Sequence, residues 1–296
     1  MKIPASIHSV TLSDRDYDVP YPPLGFCAIA EHQLGNGDTF GLYWPIGHED
    51  RDPIVAETYH DEWSLEPHFS SLDRFLNASA FEQMTNEADD DRDADDFDDD
   101  SFVGTPTIEA DPRSPAACLV AARDNLQSQN ISVALEFLET AVSVLPEFTL
   151  AQALLCTQYR RIGKNDAAIR SAIQAIISPS CFGAPPTHIA SWLAQQTNCP
   201  KEQASDPIWI NRERLTLKFG GVKENDQYRI LRDAIDVYLG NSMFISAMTL
   251  MQTYAQMMYS ETISFRERYN FDAREFVGWQ RDVAESQYGR ARVLEI

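Results

Sequence analysis

Alternation of apolar and polar side chains dominates residues 24–59. Phe40, Leu42 and Trp44 interleave with Thr39, Gly41 and Tyr43, the period-two pattern of a half-buried strand. Ile54, Ala56 and Thr58 interleave with Val55, Glu57 and Tyr59 in the same way, and an apolar run at 24–31 supplies a third strand. Asn36-Gly37 lies between that run and the Phe40 strand, and Asn-Gly favours the positive φ of a hairpin turn. Asp38, next in sequence, reads as a turn residue whose carboxylate satisfies backbone donors. At residue 70 the period changes. Leu72, Phe75 and Leu76 share a helical face, and Ser70 with Asp73 forms a capping box. Residues 1–84 therefore predict a small antiparallel sheet with at least one helix.

Helical periodicity takes over from Ser114, which reads as an N-cap with Pro115 in the first turn. Two segments then repeat. ALEFLETAVSVLP begins at Ala134 and AIRSAIQAIISPS at Ala168, so that Ala134, Leu135 and Ala141 align with Ala168, Ile169 and Ala175 at an offset of 34. Further helices are predicted near 187–197, 208–219, 224–239, 241–258 and 272–292, the last opened by a second capping box at Asp272 and Glu275. The predicted fold class is an α+β N-terminal module followed by an all-α helical array over 113–296.

Charge separates these two parts. The chain has 296 residues with 45 Asp+Glu against 24 Lys+Arg, a net charge of −21. Residues 1–112 hold 26 of the acids and 5 of the bases, so all of the excess lies there. Nine Asp fall within 86–100, where self-repulsion and low hydrophobicity predict a disordered acidic linker over 85–112. A chain this acidic is repelled by nucleic acid and by anionic lipid. The five cysteines form no CxxC pair, and the N-terminus has no apolar run of the signal-peptide kind, so a reduced cytoplasmic setting is expected. The apolar window at 243–259 carries Gln252 and Gln256 and is too short and mixed for a membrane span.

The candidate chemistry is sparse. His32, His48, His60 and His68 accompany Glu49, Asp50, Asp52, Asp61 and Glu62, but no HxxxH or HExxH spacing occurs, and a solvated acidic surface explains them better than a metal site. A metal-dependent hydrolase built on residues 48–68 is the runner-up reading. Neither a GxSxG elbow nor a phosphate loop is present, so no catalytic residue and no cofactor are expected. A third reading is a scaffold that oligomerises through Tyr269, Phe271, Phe276 and Trp279.

The order Gly37-Asp38, Phe40, Leu42, Pro53-Ile54-Val55, His60-Asp61, Ser71-Leu72 and Phe75-Leu76 resembles the SUKH superfamily of cell-wall-synthesis regulators and bacterial toxin-immunity proteins, over about 24–76. The resemblance implies a protein-binding α+β module. The 34-residue offset over about 115–180, with Tyr159 and Gly163 in register, resembles the tetratricopeptide repeat, although Ala121-Ala122 and Leu155-Cys156 replace its first-helix signature. In such arrays the first helix of each pair lines a concave groove, which would receive Arg123, Arg160 and Arg161; the Asp-rich linker is then a tethered competitor for it. These readings converge on an immunity-type or regulatory adaptor with a protein partner of basic surface. Its contacts are Asp50, Asp52, Asp61, Glu62 and Trp63 on the acidic face, and the three arginines in the groove.

Overall fold

The computed structural model describes residues 6–7, 10–13, 18–34, 36–88, 104–219, 226–290 and 292. The Asp-rich run from residue 89 onward and Gly35 of the hairpin lie outside them. A β-sheet region comes first and a helical region follows.

Two short strands, β1 (Ser6–Ile7) and β2 (Val10–Thr11), pair with each other. The main sheet is a four-stranded antiparallel meander of β3 (Phe26–Gln33), β4 (Thr39–Tyr43), β5 (Ile54–Tyr59) and β6 (Ser64–Phe69), ordered as in sequence. The β3–β4 turn carries Gly37 at φ 98°. Strand β6 was not legible as a strand: its Pro67 interrupts the pattern and fits because β6 is an edge. Helix α1 (Leu72–Ala88) follows after two residues. Its cap is Ser71, whose Oγ accepts from Arg74 N, rather than Ser70, which hydrogen-bonds to Asp111 instead.

The sheet is not half-buried. Phe40, Leu42, Cys27, Ile29 and Val55 face α1 in one core, while Phe26, Tyr43, Ile54, Ala56 and Leu65 face the helical region in another. Both faces of β4 and β5 are dry, which is why alternation there runs between apolar residues of different size more than between apolar and polar ones.

The helical region opens with two antiparallel pairs. Helices α2 (Pro115–Gln127) and α3 (Ile131–Val144) recur 34 residues later as α4 (Thr149–Arg161) and α5 (Asn165–Ile177). Ala134, Ala141, Ala168 and Ala175 are fully buried, where small side chains let helix backbones approach. Ser114 Oγ accepts from Ala117 N, the expected N-cap. Beyond this point the period is lost. Helix α6 (Thr187–Leu193) is short, α7 (Pro207–Ile210) is a single turn where a longer helix was predicted, and α8 (Asp226–Gly240) and α9 (Phe244–Tyr259) form a long hairpin. Helices α10 (Ile263–Arg268) and α11 (Ala273–Val283) then lead into a π turn at Ala284–Tyr288. Asp272 caps α11 by accepting from Glu275 N. Phe271 and Phe276 are packed with Tyr254, and Tyr269 with Tyr228, in the helical core, while Trp279 packs on Phe276 and stays partly exposed. Among the described residues no helix is long and apolar enough to cross a membrane.

Sheet and helices are one body, not two modules on a tether. Residues 104–112, expected to be disordered, pack in the junction: buried Asp111 accepts from the Ser70 backbone and hydroxyl, and the Ser114 hydroxyl donates to His68 O. Buried Gln252 of α9 donates to Pro20 O and accepts from Leu24 N. At the far end Arg292, 1% exposed, donates to Leu24 O, Trp44 O and Glu49 Oε1. Next to it Tyr43 OH and Ile46 N donate to the buried carboxylate of Glu147, between α3 and α4.

Candidate functional site

The β5–β6 turn is a four-residue connection, His60-Asp61-Glu62-Trp63, between paired strands. Its last residue adopts φ 54°. A left-handed backbone is unfavourable for a bulky side chain and persists only where surrounding structure enforces it. The enforcing contacts are visible. The Trp63 ring stacks on Tyr21 at 5.9 Å and on Tyr259, at the end of α9, at 5.0 Å. Tyr21 OH donates to Ser64 O at 2.7 Å, which ties the stack to the strand. Arg266 lies over the outer Tyr259 ring at 5.3 Å, and nearby Ile263 is 67% exposed. Trp63 is therefore half-buried, because the helical region supplies one slice of its stack.

Asp61 and Glu62 project into solvent beside it. His60 Nδ1 lies 2.9 Å from Asp38 Oδ1, and Nε2 lies 3.2 Å from Asp61 Oδ1. The hydrogen bond to Asp38 holds the imidazole above its ordinary pKa, and when protonated the ring lies between two carboxylates. Asp38 also accepts from His60 N and Asn36 Nδ2, the turn role its position predicts.

The remaining expected contacts do not join this surface. Asp50 and Asp52 precede β5 whereas Asp61 and Glu62 follow it, so the six residues of β5, roughly 20 Å at strand rise, separate the two pairs. Asp50 is engaged by Arg290 at 3.3 Å. The arginines likewise part company. Arg123 on α2 lies close enough to β6 for its charge to act on Glu66, whose carboxyl burial holds above its usual range. Arg160 stacks over Trp192 of α6 at 4.7 Å, and Arg161 donates to Gln158. The sheet reaches the helical array through β6, which packs on α2 and shares its hydrophobic core.

The imidazoles are also dispersed. His48 precedes β5, and His60 follows it. His68 lies within β6, where Nε2 is 2.9 Å from the buried Glu57 carboxylate and Nδ1 is 2.9 Å from the Thr105 hydroxyl. Tyr59 OH donates to the same Glu57 oxygen. This chain of polar groups fastens residues 104–107 to the sheet. Among the described residues no group of three or more His, Cys, Asp or Glu side chains is placed to hold a metal ion.

Tyr21 and Tyr259 were missed from sequence. Nothing local marks them as partners of a tryptophan 42 and 196 positions away, and their role exists only once α9 docks beside the turn.

Comparison with known proteins matches residues 11–94 to the YfbP N-terminal domain and residues 218–293 to the YfbP C-terminal domain. The uncharacterized protein YfbP of Escherichia coli strain K12 is 36% identical over 275 residues, which span 92% of this chain and 92% of that one. No solved structure matches. The two matched regions bracket the 34-residue repeats, taking in the sheet with α1 at one end and α8–α11 with the Arg292 anchor at the other. Over nearly its whole length, then, this chain belongs to the YfbP family.

Proposed function

We propose that the chain works by recognising another protein, and that the Trp63 turn is its point of contact. The observation that carries this is a bulky aromatic held in a left-handed backbone, clamped by two tyrosines and flanked by the exposed carboxylates of Asp61 and Glu62. A half-exposed Trp fixed before binding loses little rotamer freedom on contact, and Trp and Tyr are the side chains that dominate binding hot spots. The acids beside it favour a partner with a basic rim, which they steer and orient.

The wider architecture fits an adaptor. The order of residues from Gly37 to Leu76 supports a SUKH-like reading of the sheet and α1, and with it an immunity-type or regulatory role. The 34-residue recurrence of α2–α3 in α4–α5, with alanines buried at the crossings, supports a tetratricopeptide-like reading of the middle helices. In this reading the chain's own sheet packs on the first helix of the array through β6, and recognition takes place at the seam between them. The site acts without a cofactor and in the cytoplasm.

A photo-crosslinking residue placed at Glu62 in cells, with a second at the exposed Gln129 as control, tests this. The Glu62 probe is expected to capture one dominant protein that the control does not. With that protein purified, Trp63→Ala weakens binding roughly thirtyfold, since hot-spot truncations cost about 2 kcal/mol or more. Trp63→Phe keeps the stack and retains most of the affinity. Identical capture by both probes, or full binding by Trp63→Ala, defeats the proposal.

A further inference from the structure

Away from the Trp63 turn, at the other end of β5, a cleft of about 320 Å³ opens where the β4–β5 loop, the start of α1, the approach to α2 and the end of α3 meet. Pro45, Ile54 and Val144 give it an apolar lining. Three exposed arginines from three separate segments line it: Arg51, Arg74 and Arg113. In a chain with almost twice as many acids as bases this gathering is against the average, and Asp52 is the one carboxylate that shares the lining. Neither Arg51 nor Arg113 makes an ion pair with a described carboxylate. Arg74 is held in place by donating through Nη1 to Ala110 O at 2.9 Å, which leaves the rest of its fork available. Ser71 accepts from Arg74 N, so its hydroxyl proton is free to donate.

Three cations around one small space make it attractive to an anion, with Asp52 and Asp50 as the carboxylates that offset part of their charge. Planar guanidinium forks match the oxygens of a phosphoryl group in bidentate fashion. The volume lies at the small end of the ~300–1,000 Å³ usual for ligand sites. His48, which lines the same cleft, is held below its ordinary pKa by burial first and by the Arg51 charge second, with Asp50 and Glu49 acting in the opposite sense. We infer that this cleft binds the phosphoryl group of a small metabolite, with Arg51, Arg74 and Arg113 as its ligands and Asp52 as an opposing charge that limits affinity. The site is independent of the Trp63 surface.

Calorimetric titration of the full chain at low salt tests it, using pyrophosphate, a sugar phosphate and adenosine monophosphate as probes and citrate as a carboxylate control. At least one phosphoryl compound is expected to bind saturably at one site, more tightly than citrate. Arg51→Ala and Arg113→Ala each weaken it roughly ten- to hundredfold, the loss of one charge-assisted hydrogen-bonded pair, and Asp52→Asn tightens it about threefold by removing a repulsion. Without ligand the two arginine variants unfold at the same temperature as the parent or higher, because each relieves repulsion; arginines kept only for structure would lower it. No binding by any phosphoryl probe at millimolar concentration, citrate binding as tight as theirs, or binding unchanged in the Arg51→Ala/Arg113→Ala double variant overturns the inference.

Discussion

Replacing Arg292 by alanine tests how firmly the chain's two regions are joined. Its guanidinium is 1% exposed and donates to two backbone carbonyls, Leu24 O and Trp44 O, and to Glu49 Oε1 at 3.0 Å. Truncation removes one member of a buried ion pair and orphans both carbonyls. Glu49 keeps hydrogen bonds from Gly47 N and Tyr288 OH and the Arg290 guanidinium at 3.4 Å, so part of its charge stays compensated. Glu147, already with one oxygen unpartnered, loses a nearby cation. Breaking a buried pair from one side costs about 3–5 kcal/mol, and the retained bonds to Glu49 place the expectation near 4 kcal/mol. For a chain of this size each kcal/mol moves the melting temperature by about 2 °C, so a drop of roughly 8 °C is expected by calorimetry, with a matching shift in urea midpoint followed by tryptophan fluorescence. Gly25 supplies an internal check. It sits at φ 93°, and a Cβ there would lie 2.5 Å from Arg292 Nη2. Gly25→Ala therefore expels the guanidinium, and in the Arg292→Ala background it costs only the backbone strain, roughly 1–2 kcal/mol. A loss below about 1 kcal/mol for Arg292→Ala, or strict additivity of the two substitutions, refutes the claim that this arginine ties the C-terminal segment to the sheet.

Glu147→Gln keeps a carbonyl oxygen for Tyr43 OH and Ile46 N while removing a charge that burial holds above the usual carboxyl pKa. The native state then binds a proton that the unfolded chain has released, so parent stability falls as pH rises from the unfolded carboxyl range through the raised folded value; the variant loses that slope and is at least as stable above neutral pH by urea denaturation. Gly41→Ala places a methyl inside the van der Waals surface of the Phe26 ring and 2.6 Å from Cys27 O, backbone that cannot yield, and is expected to cost about 1–3 kcal/mol or more in the same assay. By NMR titration His60 is expected to show a pKa above the ordinary histidine value, and Asp38→Asn is expected to lower it toward that value. A raised imidazole stabilises in acid and loses that contribution as pH passes through its folded pKa, so Asp38→Asn narrows the stability difference between mildly acid and alkaline solution.

What could be read from the sequence was local. The hairpin at Asn36-Gly37, the strand at 54–59, the caps at Ser114 and Asp272 and the 34-residue recurrence each depend on side chains within a turn or two of one another, and short-range sterics and hydrogen bonding decide them. Strand β6 and helix α10 escaped because Pro67 and brevity blur their period. The fate of the charged and aromatic residues was decided only by tertiary packing. Whether Trp63 is free or clamped depends on Tyr259, nearly two hundred residues away; what covers the apolar face of α2 depends on strand β6; whether Asp50 and Asp61 act together depends on the length of the strand between them. Sequence period reports which side of an element is apolar, but it carries no record of what covers that side. For this chain the cover is its own other half, and that contact turns a presumed pair of tethered modules into one body with its candidate surfaces at the seam.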